Sequence, residues 1–414
     1  MLMKRLVIPL SIVFGLLIIC IFMMIYPAAV WNAGVRGLSI WWDVLFPSLF
    51  PFFVISELLL GLGIVHFTGA LLHPLMRPVF RIPGTGGFVA AISYASGYPI
   101  GAKLTAKLWE KKQITRDEGE RLVAFTTTSD PIFLIGAVSV GFFQLPAVAV
   151  MLAIAHYGAG LIVGLLMRFH GKKDSRSNDE SDSSVTTKSH RLRTALAAMH
   201  YARIEDGRTM GELLRQAIQS SLQLITVVGG LVVFFCVILE VFTQAGLMAG
   251  MYHTVELMLK TFGLPPEISQ ALVGGLFEVT LGARYAGTLA EIPLIYKVAA
   301  AACVLSWGGL SVHAQVVSIL NPTPLRYAPF LMARLVHALL SGMIVFLCWD
   351  LVMLDQNTSS SFMLLPDKFH TLSFPAAIFQ AVPYQFALTL IIISFLFVLT
   401  LICILLQRLA SRFR

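Results

Sequence analysis

The chain has 414 residues, 57% of them hydrophobic and 13% charged, about half the charged fraction of a soluble globular domain. That composition excludes a water-soluble enzyme and places the chain in a bilayer as a polytopic helical membrane protein. The net charge of +8 is not carried by basic residues interleaved with aromatics on a polar module, so nucleic acid is excluded as a partner.

A membrane-crossing helix needs about 20 mostly apolar residues. Windows 6–26, 44–64, 147–167, 217–242, 331–353 and 385–407 meet that requirement. The first, following Lys4 and Arg5, is longer than a signal-peptide core and has no A-x-A site after it, so it reads as a retained helix. Thr115-Arg-Asp-Glu118 is a capping box and predicts a helix start. Residues 171–209, beginning GKKDSRSNDESDSSVTTKSH, are Ser-rich and mixed in charge, and read as a solvated cytoplasmic linker. All five cysteines fall in apolar segments without metal-ligand spacing and read as small buried hydrophobes.

Across the linker the sequence repeats itself. FFVISELLLGLG (52–63) and FCVILEVFTQAG (235–246) align without a gap, matching Phe52, Val54, Ile55, Glu57 and Gly63 to Phe235, Val237, Ile238, Glu240 and Gly246. Each is followed by a mildly amphipathic stretch, then by a glycine-interrupted apolar run (SYASGYPIGA or EVTLGARYAG), then by a second interrupted run (FTTTSDPIFLIG or VLSWGGLSVHAQ). The recurrence of Glu57 and Glu240 predicts a shared role at helix contacts.

The distribution of basic residues sets the topology. With the N-terminus cytoplasmic and the runs near 93 and 280 folded as re-entrant hairpins, 25 of the 30 Lys and Arg residues, Arg334 among them, fall on the inner side. The two hairpins then enter from opposite faces, which makes an inverted-topology repeat. The expected architecture is therefore all-α: a first helix and interfacial segment (1–43), a first repeat (44–169), the linker (170–215), a second repeat (216–353), an external loop (354–384) and a C-terminal helix (385–414), with both termini cytoplasmic. Transporters use this plan because two similar halves of opposite orientation alternate around one midplane site.

Broken helices survive at membrane depth only when buried in protein or lining a wet cavity. Four breaks are predicted, at SYASGYP, TTTSDP, EVTLGAR and SWGGLS. Half-helix N-termini suit an anion, and ionisable groups at such depth are candidates for function. The candidate substrate-binding set is Ser93, Ser96, Gly97, Lys103, Thr127, Thr128, Ser129, Asp130, Glu278, Thr280, Arg284, Gly308, Gly309, Ser311, His313 and Gln315. Arg284 is the expected carboxylate anchor because its planar fork grips two oxygens. Lys103 is either a ligand or an interface anchor. Asp130 or Glu278 is the expected partner of a coupling ion, sodium or proton. No other cofactor and no metal are expected. His156 and Tyr157 read as an interhelical hydrogen-bonding pair. No hydrolase motif is present, and a triad assembled from Ser311 or Ser96, His313 and Asp130 is the weaker alternative.

SELLLGLGI, SYASGYPIGAK, TTTSDPIFLIGAVSVGFF, EVTLGA and SWGGLSVHAQVVSIL together resemble the sporulation integral membrane protein YlbJ (SpoVV) family. The shared gate or nucleoside-recognition repeat is similar to the core of concentrative nucleoside transporters. The resemblance implies a carrier of dipicolinic acid, a small aromatic dianion, across the outer forespore membrane during sporulation, with Tyr94, Tyr98 and Trp307 available to stack on its ring. Two other readings are a structural or assembly protein of the spore envelope and an ion-coupled nucleoside transporter. The hairpin tip reads Ser-Gly-Tyr-Pro where those transporters carry a Gln-Thr-Glu-type sequence, which argues against nucleosides. The expected partners are the lipid bilayer and an anionic solute, with a homo-oligomer also consistent.

Overall fold

The computed structural model describes residues 2–171 and 188–353; the Ser-rich core of the linker and the loop and C-terminal helix expected at 354–384 and 385–414 lie outside them. Among the described residues the chain is helical with no strand. Helix α1 spans Leu2–Ile25, and α2 runs through Pro27–Gly61 with a π-helical turn at Ile40–Leu45. The 27–43 stretch, expected to lie at the interface, is therefore the first part of a continuous helix. Next come α3 (Ile64–Leu75), α4 (Gly86–Ser96), α5 (Ile100–Glu110), α6 (Arg116–Thr126), the π-helical α7 (Phe133–Phe142) and α8 (Val148–Met167). The capping box forms as the sequence requires: Glu118 N–H donates to Thr115 Oγ1 at 3.4 Å and Thr115 N–H donates to Glu118 Oε2 at 2.8 Å.

The remaining elements are α9 (Lys188–Asp206), α10 (Met210–Gln244), α11 (Leu247–Thr261), α12 (Ser269–Phe277), α13 (Val279–Thr288), α14 (Leu294–Trp307), α15 (Gly309–Leu320) and α16 (Tyr327–Met353). Helix α9 corrects the linker reading. Residues 188–206 form an ordered helix packed on α3, with Ala195 buried. The error came from averaging composition over the whole stretch, since the Ser-rich bias ends where the LRTALAAM run begins.

Helices α2 and α10 are the sequence-repeat partners, and each is 35 residues long. Each ends two residues before a left-handed glycine, Gly63 (φ 81°) or Gly246 (φ 74°). They pack against each other and run antiparallel: Gly37 meets Val233, Trp41 Nε1 donates to Ile225 O at 2.8 Å, and Gly61 meets Leu213. Antiparallel repeat mates are what an inverted repeat requires. One of the two recurring glutamates, Glu240, sits at this contact. Glu240 pairs with Arg36 at 2.6 Å, and Arg208 acts electrostatically on Glu57 at the other end.

The centre of the molecule is the bundle of α8, α14 and α16. Small residues allow the close approach, as in other membrane bundles: Ala299, Ala300, Ala301 and Ala302 of α14 are all buried, as are Ala155, Ala159 and Gly160 of α8. Outward faces are apolar, with Leu339, Leu347 and Leu351 of α16 at 71%, 75% and 85% exposure. In water such a surface would aggregate, whereas in lipid it is the solvent-facing side. One cysteine follows the same inversion. Cys20 is exposed, so the expectation of burial is corrected there, whereas Cys236, Cys303 and Cys348 are partly buried free thiols, Cys236 and Cys348 packed against the hydrophobic core.

Candidate functional site

All four predicted breaks are present, and each is narrower than the motif that announced it. The first separates α4 from α5 at Gly97-Tyr98-Pro99, with a cis Tyr98–Pro99 peptide. Gly97 has φ 71°, and a Cβ there would lie 2.8 Å from Asp130 Oδ2 and 3.1 Å from its backbone nitrogen, so this position needs glycine for both conformation and space. The second break is the extended run Thr127–Asp130 between α6 and the helix entering α7. Asp130 Oδ1 accepts from Ile132 N–H at 3.0 Å and Phe133 N–H at 2.8 Å, capping the helix that restarts.

In the second half the breaks shrink to single residues. Glu278 (φ −144°, ψ 126°) alone separates α12 from α13, and its Oε2 accepts from Thr280 N–H and, at 3.3 Å, from Leu281 N–H. Gly308 separates α14 from α15 in the left-handed region. A Cβ on Gly309 would lie 3.0 Å from the Glu278 Cα. In each half, then, a hairpin tip rests against an interrupted helix where one glycine meets one acidic residue.

The four breaks surround a cavity of about 110 Å³. Seven expected residues line it: Ser96, Ser129, Asp130, Glu278, Thr280, Ser311 and Gln315. Tyr98 and Pro99 join them from the first hairpin tip. The other wall is apolar and comes from Leu49 and Phe53 of α2 and Leu224, Val227 and Leu231 of α10. Sequence reasoning missed that wall, because apolar residues in membrane helices carry no signal separating cavity from lipid. The N-termini of α5 and α15 lack a side-chain cap, so their positive ends are left for a ligand.

The other candidates stand elsewhere. Ser93 is buried and donates to Val89 O at 2.6 Å. Lys103 is exposed on α5 and lies outside the cavity lining, as does Arg284, half-buried on α13. Arg284, the expected carboxylate anchor, therefore stands off the cavity lining. Glu278 starts α13 at the cavity, and six residues of helix turn and carry Arg284 away from it. No Lys, Arg or His lines the cavity among the described residues. Gly97, Gly308 and Gly309 shape the breaks without lining the cavity. His313 accepts at Nδ1 from Tyr327 Oη (2.7 Å) and donates from Nε2 to Trp307 O (3.2 Å), so neither nitrogen is free to serve Ser311. Of the proposed stacking aromatics, Tyr98 reaches the cavity and donates to Leu305 O at 2.5 Å. Trp307 instead donates to Leu276 O at 3.1 Å, and Tyr94 donates to Phe125 O at 3.4 Å.

Thr127 and Thr128 belong to a buried polar network behind the cavity. Thr127 Oγ1 donates to Val123 O at 2.9 Å. Ser129 N–H, which can only donate, meets His156 Nε2 at 3.1 Å, and Thr128 Oγ1 lies 2.8 Å from the same nitrogen. Nε2 therefore accepts, and the proton on Nδ1 is donated to Ser306 Oγ at 2.8 Å. The interhelical role read for His156 holds, and Tyr157 Oη donates to Ser129 O at 3.2 Å. Arg334 completes the network. Counted as an inner-side charge in the sequence, it is 1% exposed, because its helix starts at Tyr327 and carries it two turns into the protein.

Outside the membrane-spanning helices, Glu120 of α6 links the halves. Its oxygens accept from Arg326 N–H (3.0 Å), Nε (2.9 Å) and Nη2 (2.9 Å), and His170 Nε2 is 2.6 Å away. Burial alone would raise this carboxyl. The hydrogen bonds from Arg326 and His170 outweigh it and hold the group at about 2. Asp117, Glu120 and His170 lie close enough to ligate a metal, but Arg326 already supplies the positive charge of that cluster.

The family profile described as "Gate: Nucleoside recognition" matches residues 43–173. An uncharacterized protein of Alkalihalophilus pseudofirmus is 28% identical over 144 residues, 34% of this chain and 30% of that one. A solved structure of CNTnw in an inward-facing substrate-bound state covers 82% of this chain and 85% of its own at 14% identity, with a TM-score of 0.42. The sporulation integral membrane protein YlbJ of Bacillus subtilis (strain 168) is 42% identical over 324 residues, 78% of each chain. At that identity and coverage, this integral membrane protein belongs to the YlbJ family of sporulation membrane proteins.

Proposed function

We propose that the protein is an alternating-access transporter of a small anionic metabolite, dipicolinic acid, across the outer forespore membrane during sporulation. The observation that carries this reading is the cavity where breaks from both repeats meet, lined by two carboxylates, several hydroxyls and an apolar wall. A receptor or scaffold has no use for four interrupted helices around one wet cavity. The uncapped N-termini of α5 and α15 receive the carboxylates of the solute, and Tyr98 offers a ring face. Asp130 and Glu278 each use one oxygen in capping. Their remaining oxygens hold the protons or sodium ions that offset the charge of the solute, because an anion entering beside two bare carboxylates is repelled.

The test is flux of labelled dipicolinate into liposomes holding the purified protein. Saturable uptake is expected, and it should fall by about tenfold or more (about 1.4 kcal/mol) in Asp130→Asn and in Glu278→Gln while both variants insert normally. Absence of flux would favour the structural or assembly role, and uptake of nucleosides in place of dipicolinate would reassign the substrate.

A further inference from the structure

Arg334 is a full charge buried inside a membrane bundle, a placement that costs several kcal/mol unless its charge and donors are matched. Its described partners are all neutral. Nη1 donates to Thr127 O, Nη2 donates to Ser306 O, and Nη2 lies 2.5 Å from His337 Nδ1. His337 in turn donates from Nε2 to His156 O at 2.7 Å, and the two imidazoles stack at 5.0 Å. What balances the charge is the position of those two carbonyls. Thr127 is the C-cap of α6, and Ser306 lies in the last turn of α14. Each is the C-terminal end of a half-helix, one from each repeat. A helix C-terminus carries about half a negative charge, so the two ends together offset roughly one guanidinium. Converging C-terminal ends at membrane depth are otherwise places where a diffusible cation is coordinated.

We propose that Arg334 is a resident cation, built into the chain where a diffusible one would otherwise bind, and that it holds the interrupted helices of the two halves together as one body. The planar fork suits this task because it reaches two carbonyls on separate helices at once, which a lysine ammonium on one flexible stem does not. The histidines extend the connection: His156 ties Ser129 of one break to Ser306 beside the other, and His337 fixes the guanidinium. In consequence the C-terminal junction needs no alkali ion, and any coupling ion acts instead at Asp130 and Glu278 across the breaks. The proposal concerns the junction alone and holds whatever solute the cavity takes.

The test uses purified full-length protein in detergent and needs no transport assay. Wild type should melt at the same temperature with or without millimolar methylguanidinium. Arg334→Ala should melt lower, and methylguanidinium should raise its melting temperature saturably by entering the vacated junction. Arg334→Lys, which keeps the charge and loses the fork, should show amide exchange about tenfold faster than wild type at 127–130 and 306–309. A melting temperature in Arg334→Ala that ignores methylguanidinium would overturn the proposal, as would wild-type exchange rates in Arg334→Lys. If Arg334→Ala does not fold, the lysine variant decides alone.

Discussion

The two halves build the same contact with the chemistry exchanged. In the first, the hairpin contributes glycine (Gly97) and the interrupted helix contributes the acid (Asp130). In the second, the hairpin contributes the acid (Glu278) and the interrupted helix contributes the glycine (Gly309). What is repeated is therefore a relation between a tip and a break, one carboxylate capping a restarted helix and one glycine allowing backbone to approach it. The residue alignment does not show this exchange. The halves also differ in length of break, four extended residues at 127–130 against one at Gly308. The first half exposes more backbone, and its network through His156 is correspondingly larger.

The exchange gives the largest expected effect. A Cβ on Gly309 would meet three backbone atoms of the second hairpin at 3.0 Å, whereas one on Gly97 would first meet a side-chain oxygen of Asp130. A side chain yields where a backbone does not. Gly309→Ala should destabilise by about 3 kcal/mol and Gly97→Ala by about 2 kcal/mol, read as melting temperatures in detergent. Equal losses would show that φ alone matters and that the glycine–acid contact is incidental.

A second variant loosens the halves from each other. Glu120→Gln leaves Arg326 and His170 without their shared carboxylate and should cost about 2 kcal/mol at neutral pH. Because the folded-state carboxyl is depressed to about 2, its contribution is fully present above the unfolded value near 4.5 and is lost as pH falls from there through about 2. Wild type and variant should therefore converge in stability across that acid window, and a constant difference down to its bottom would remove Glu120 as the cause.

The smallest effect is expected at the residue that the sequence made most prominent. Arg284→Ala should leave dipicolinate flux within about twofold of wild type, below the tenfold that 1.4 kcal/mol represents, because Arg284 does not line the cavity. A loss comparable with that of Asp130→Asn would return Arg284 to the site.

Much of the architecture was legible because its signals are local. Apolar windows, the capping box at Thr115, the aligned glutamates and the glycine-rich interruptions are all set by short-range backbone and solvation rules, and they placed the helices and all four breaks. Seven of the candidate residues line the cavity for the same reason, since hydroxyls and acids beside a break are near the cavity by construction. Arg284 and Lys103 stand off the cavity lining, because a sequence gives distance along a helix and not the direction in which a side chain leaves it. Arg334 departs from expectation in the opposite direction. Its charge was read as a marker of the cytoplasmic side, when the carbonyls of Thr127 and Ser306, on two other helices, had made a buried place for it.

By itself the sequence determined that this chain lies in a bilayer and where its helices must break, because hydrophobic length and backbone hydrogen bonding are properties of short segments. Tertiary structure decided which broken ends face one another, which acids share a cavity and which arginine sits between two helix ends. Those outcomes depend on antiparallel packing of α2 on α10 and on the packing of α8, α14 and α16 together, and the groups that meet there are separated by as many as 207 residues of chain.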